Sequence, residues 1–324
     1  MELVAVNNNQ FISEDEIVSN KSNFIEANTK CVTLNHIKKE CIVPVYSDNN
    51  LSISHANFIE ATKDVVNSVF SNEQISAPNI RVSHQIKGRV PSAITKTVKE
   101  LLSHEKTIYY QRCAFIIEIP SLRENVNNNL LSLTIGGVRA LNQENLYSRR
   151  TLERFKVFIG YKNKVCTNLC ISTDGILVDV RVGSIQELKQ KIYELIKSFN
   201  KDKFLGELER ISKFQLEENK FSHLIGKMKM YQFLNKEEKV DKLTLLMNDN
   251  QISTTVKNYY NDPNFKRDPN GAINLWQLYN LFTEANKSSY IDSNLERNVN
   301  AFEFVTGLAN SLQNNTYNWF LTQK

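Results

Sequence analysis

From Arg154 to Ser172, alternate residues separate into two sets of opposite character. Phe155, Val157, Ile159, Tyr161, Val165, Leu169 and Ile171 hold the odd positions, interrupted by Asn163 and Thr167. The even positions carry Arg154, Lys156, Lys162 and Lys164, with Phe158, Gly160, Cys166, Asn168 and Cys170 between and beyond them. Successive side chains of a strand point to opposite faces, so a period of two predicts extended backbone with one apolar and one basic side. A single phase through the whole run predicts either one long strand or two joined by an odd-length loop. A three-residue connection keeps the faces separate, whereas a two-residue turn at Lys162-Asn163 would pair Ile159 with Cys166 and mix them.

The same geometry bears on the thiols. On an extended strand Cys166 and Cys170 lie about 13 Å apart at ~3.3 Å per residue, too far to share a metal ion or a disulfide. Cys31, Cys41 and Cys113 stand alone, and none of the five histidines has a partner at ligand spacing, so neither a metal nor any other cofactor is expected. No nucleophile elbow, phosphate loop or zinc-protease motif occurs, and a non-enzymatic protein is the expectation. Gly136-Gly137 reads as a bulge or a close backbone approach.

The rest of the chain predicts an α+β protein: a central antiparallel β-meander with flanking helices, followed by a C-terminal all-α bundle. Residues 1–30 read as a loose tail, 31–183 as the α+β domain and 184–324 as the helical domain. A helix starts after Ser54 in "SHANFIEATKDVVNSVF", a strand covers "NIRVSHQI", and a second helix is predicted over "PSAITKTVKELL". Strands follow in "TIYYQRCAFIIEIP", "NLLSLTIGGVRAL", "LERFKVFIGY" and "KVCTNLCIST", with a fifth in "ILVDVRV"; "SLRENVNN" and "NQENLYSRR" read as loops. "SIQELKQKIYELIKSF" opens with Ser184 and Glu187 at capping-box spacing, and five helical periods continue to about residue 313. With no continuous apolar run of about 18 residues and no leader pattern, a cytoplasmic protein without membrane segments is expected.

Charge is concentrated in the middle. The net charge is +5, yet residues 81–112 hold seven Lys/Arg against two Glu, and residues 139–164 repeat those numbers. A polyanion is the partner such segments attract. The candidate nucleic-acid-binding residues are Arg139, Arg149, Arg150, Arg154, Lys156, Phe158, Lys162 and Lys164, joined by Arg81, Lys87, Arg89 and Arg112. Tyr147 and Phe158 offer rings for stacking on bases, Tyr161 less so because it falls on the apolar side. Phe158 has a second reading, as a residue covered by a helix or by the N-terminal tail.

Three stretches, "ISAPNIRVSHQIKGRVPSAI", "LSLTIGGVRALNQENLYSRRTLERFKVFIGYKNKVCTNLCISTDG" and "EANKSSYIDSNLERNVNAFEFVTGL", resemble the uncharacterised domain-of-unknown-function family 3871 of bacterial mobile elements over roughly residues 40–320. "VFIGYKNKVCTN" is remotely similar to the larger phage/plasmid-like family. The resemblance supplies no catalytic residue; it implies a setting in which DNA handling or interference with host defence is common. The expected function is nucleic-acid binding, with single-stranded DNA favoured and an annealing-like role open. The alternative is a non-enzymatic protein-interaction module, such as an inhibitor of a host defence system, that meets an acidic protein surface. Self-association is left open.

Overall fold

The computed structural model describes residues 23–42, 53–93, 95–144 and 152–322. The fold is mixed α+β, with an antiparallel sheet followed by helices. Its strands are β1 (Lys30–Val32), β2 (Asn79–Arg89), β3 (Lys106–Val126), β4 (Asn129–Ala140), β5 (Glu153–Asn163), β6 (Leu169–Cys170) and β7 (Ile176–Val182). They follow the order β1-β2-β3-β4-β5-β6, and β7 also pairs with β5, so the meander is as expected. The helices are α1 (Leu34–Glu40), α2 (His55–Val69), α3 (Ile185–Ser198), α4 (Lys201–Ile211), α5 (Glu218–Tyr231), α6 (Lys236–Lys239), α7 (Asp249–Asn261), α8 (Leu275–Asn286) and α9 (Ile291–Asn314). Two short strands, β8 (Gln215–Leu216) and β9 (Ile273–Asn274), pair within the helical part. No helix among the described residues is long and apolar enough to cross a membrane.

Local chemistry explains most boundaries. Ser54 caps α2 by accepting from the Asn57 N–H, and Ser184 does the same for α3 through Glu187. Asn127 and Asn128 take φ of 50° and 61°, so two left-handed residues close the β3–β4 hairpin. That backbone matches strand twist and is the one Asn tolerates, and it shortens the expected loop over 121–128 to a two-residue turn. A register shift between Ile119 and Arg123 absorbs Pro120, which has no N–H to give to the ladder.

The odd face of β5 is apolar and packed, as its period requires. Phe58 of α2 meets Phe115 edge-on at 4.9 Å and Phe155 at 4.7 Å between ring centroids. Farther along, Tyr161 lies against Phe204 of α4, which in turn packs on Phe302 of α9. One hydrophobic core therefore runs from the sheet into the helical part, and position 183/184 does not divide it.

The even face departs from expectation. Ala114, Ile116, Val138, Phe158, Leu169 and Ile171 form a second buried cluster with Ile291, Leu295 and Val299 of α9 and with Phe24 and Ile25. Helix α9 thus lies over the side of the sheet expected to be wet. Phe24 and Ile25 are buried and β1 begins at Lys30, so the loose tail does not include residues 23–30. Both glycines of "TIGGVRAL" are close approaches: a Cβ on Gly136 would come within 2.8 Å of the Phe158 ring, and one on Gly137 within 2.3 Å of Phe58.

Two further expectations are corrected. Among the described residues of "PSAITKTVKELL" there is no α-helix; a single 3₁₀ turn at Pro91–Ala93 is followed by turns from residue 95. Val98 and Leu102, which would have faced a core, are exposed, and a short helix without a packed face does not hold in water. The β5–β6 connection has four residues, Lys164–Thr167, rather than three, because Asn163 N–H reaches Asn168 O and Thr167 N–H reaches Asn163 O. Tyr161 then pairs with Cys170 and Lys162 with Leu169, so the faces exchange at the turn.

Candidate nucleic-acid interface

The cations of the even face are placed together but are already paired. Lys156 is buried and meets the Glu296 carboxylate and the Asp292 carbonyl of α9. Lys162 and Lys164 both pair with Glu118 of β3. Burial would raise the Glu118 carboxyl, but the two ammonium groups and the Ser132 hydroxyl outweigh it and hold the group at about 2. Arg154 pairs with Asp179 of β7 at 2.7 Å. On the opposite, apolar side of the sheet, Arg139 is fully buried and bridges Glu144 and Glu153, with its guanidinium 4.8 Å from the Phe155 ring centroid. A helix laid on the even face could tolerate its charges only if they were neutralised, and the carboxylates that do so come from β3, β7 and α9.

The expectation that Arg139, Arg154, Lys156, Phe158, Lys162 and Lys164 emerge together into solvent is therefore corrected. Phe158 lies beneath α9 and Phe24–Ile25 and offers no stacking surface. Arg81 is also buried, donating to Thr29 Oγ1 and Asn23 Oδ1. Arg112 pairs with Asp292 at 3.1 Å and donates to the His84 ring. Arg149 and Arg150, with Tyr147, lie outside the described residues.

What remains open is the far end of the β2–β3 hairpin. β1 covers β2 only from Ile80 to Val82, and β4 pairs with β3 only from Arg112 onward. Residues 85–89 and 106–110 consequently form a two-stranded ribbon, touched along its edge by a bridge from Cys41 to Ile108. Arg89 and Lys106 are directly opposite each other, and Lys87 is two residues from Arg89, so the alternation puts all three on one side of the ribbon. None of these three forms an ion pair among the described residues; Lys87, Lys106 and the nearby Lys99 are exposed. The Arg89 guanidinium donates to the Lys96 carbonyl, while Lys96 takes up Glu105. Lys106 escaped selection in the sequence because pairing across the hairpin, not local spacing, brings it to Arg89.

The thiols belong to structure rather than chemistry. Cys166 sits in the four-residue turn, its carbonyl accepting from Lys287 and its thiol facing Asn280 Oδ1 at 3.8 Å. Asn163 and Asn168 also bond to Asn280, so the "KVCTN" segment fastens the turn to α8. Burial pushes the Cys166 thiol up to about 12, and Cys170 higher still, which keeps both protonated and unreactive. No group of three His, Cys, Asp or Glu among the described residues is arranged to hold a metal ion.

Neither a curated protein nor a solved structure matches the chain. A family model described as "Domain of unknown function, B. Theta Gene description (DUF3871)" matches residues 5–321, and with nearly the whole length covered the chain belongs to that family.

Proposed function

We propose that the protein binds nucleic acid through the β2–β3 ribbon, with duplex DNA the better fit, in the setting of a bacterial mobile element. The observation that carries this reading is the juxtaposition of Arg89 and Lys106 with no carboxylate between them. Like charges directly opposite on paired strands are destabilising, and a phosphate backbone is the partner that relieves them. A two-stranded ribbon has the width that the major groove admits. With Phe158 covered, the stacking that would favour a single strand has lost its main candidate.

Binding of a short duplex and of the matching single strand, measured across a salt series, tests the proposal. Affinity falls steeply with salt, and Lys87→Ala with Lys106→Ala flattens the slope by about 0.9 for each phosphate that is no longer neutralised. Absence of binding to either form at low salt overturns the reading.

A second reading has its own observation. At the corner between α5 and α6, Phe233 is 90% and Val240 84% exposed, and Met230 is also open. Lys227 and Lys242 flank the nearby Trp319 ring. An exposed apolar corner with a fringe of both charges suits an amphipathic protein surface, as an interaction module or an inhibitor of a host system would require. Substituting Phe233→Ser would abolish such an interaction and leave DNA binding intact.

A further inference from the structure

The loop that closes the β2–β3 ribbon, between Arg89 and Lys106, is bonded to itself. Val90 N–H reaches the Glu105 carbonyl, Lys96 N–H the Ala93 carbonyl and Glu100 N–H the Thr97 carbonyl. Both carboxylates of the loop accept bonds from within it, Glu105 from the Lys96 ammonium and the Leu102 N–H, Glu100 from the Thr97 N–H at 2.8 Å. Ala93 is fully buried, so the ribbon ends in a packed tip.

The bond between Thr97 and Glu100 places Val98 and Lys99 at the corner of a turn. Such corners favour Gly, Pro, Asn or Asp, and a β-branched apolar residue adds nothing to the turn itself. Val98 is 71% exposed there, and Leu102, four residues on, is 54% exposed. Lys99, next to Val98 in the chain, is exposed too. The Arg89 guanidinium donates to the Lys96 carbonyl, which ties the tip to the side of the ribbon that carries Lys87, Arg89 and Lys106. A duplex held by its phosphates on those cations has one apolar interior to offer such a residue, the stacked faces of its base pairs.

We propose that Val98 is a wedge that enters one base-pair step of the bound duplex and kinks it, and that the preferred substrate is duplex DNA with a weak or flexible step. This rests on the reading of the ribbon as a DNA-binding element. Lys87, Lys99 and Lys106 hold phosphates, and Val98 puts apolar contact in place of the stacking lost at the opened step. Insertions of this kind bend DNA by about 20–90°. Pyrimidine–purine steps and mismatched pairs open most easily, so the protein discriminates among duplexes without a hydrogen bond to any base edge.

The test uses two end-labelled duplexes of about 20 base pairs, identical except for one central mismatch, with affinity read by anisotropy and bending by energy transfer between the ends. The unaltered protein should bind the mismatched duplex at least tenfold more tightly and bring the ends of both closer together. Val98→Ser, at an exposed position, should narrow that preference to within twofold and lose the bend while its salt slope stays the same; Val98→Leu should keep both. Equal affinity for the two duplexes without a bend, or a bend that survives Val98→Ser, overturns the wedge and leaves the ribbon's reading standing. Binding of neither duplex at low salt overturns both.

Discussion

The Lys156 ammonium, midway along β5, is paired with the Glu296 carboxylate of α9, so the most centrally placed cation of the sheet's basic side faces a helix instead of water. Lys156→Ala leaves Glu296 with one partner fewer at a largely covered interface. We expect a loss of about 1–3 kcal/mol in denaturant unfolding, without a change in DNA affinity. Lys156→Ala with Glu296→Ala should recover part of that loss, and a double-mutant cycle measures the coupling.

Glu118 makes stability depend on acid. Its carboxyl titrates at about 2 in the fold against 4.5 ordinarily, despite burial that acts in the opposite direction, because Lys162 and Lys164 hold it charged. A depressed folded value means the contribution is fully present above about 4.5 and is lost as pH falls toward 2. Unfolding free energy should drop on the order of 2 kcal/mol across that window, and Glu118→Gln should remove this step while lowering stability at neutral pH.

His55 opens an earlier window. Burial, assisted by the Arg139 charge, pushes its ring down to about 4 from 6.5, although the bond from Nε2 to the Tyr110 carbonyl works the other way. The fold prefers the neutral ring, so its contribution is complete above 6.5 and declines as pH falls from there to about 4. An unfolding series in that range should show a decline in the unaltered protein that His55→Gln lacks.

Gly137→Ala would drive a methyl group into the Phe58 ring. An overpacked position of this kind costs about 1–3 kcal/mol, read as a lower denaturant midpoint with an unchanged slope.

These residues also mark what a sequence can disclose. The period of two in β5 is a local property, and it identifies the strand and its apolar side correctly. Whether the other side is wet depends on α9, more than a hundred residues later, and on Glu118 and Asp179, which come near β5 and its turn only because β4 joins β3 to β5 and β7 pairs with β5 directly. Alternation is also silent on the turn after Asn163, where side-chain bonds to Asn280 favour four residues over three and exchange the faces. The helix expected after Pro91 does not form for a related reason: apolar spacing alone provides no surface to pack against. Cationic clustering, by contrast, marks Lys87 and Arg89, two neighbours in sequence that the ribbon keeps on one side and out of ion pairs among the described residues.

The most direct measurement compares affinities for one duplex of about 20 base pairs at low salt, by fluorescence anisotropy, among three proteins: the unaltered chain, Lys87→Glu with Lys106→Glu, and Arg154→Ala with Lys164→Ala. The ribbon variant should bind more than about tenfold more weakly, and the sheet variant within about twofold of the unaltered chain. A sheet variant that loses affinity while the ribbon variant keeps it would contradict the account.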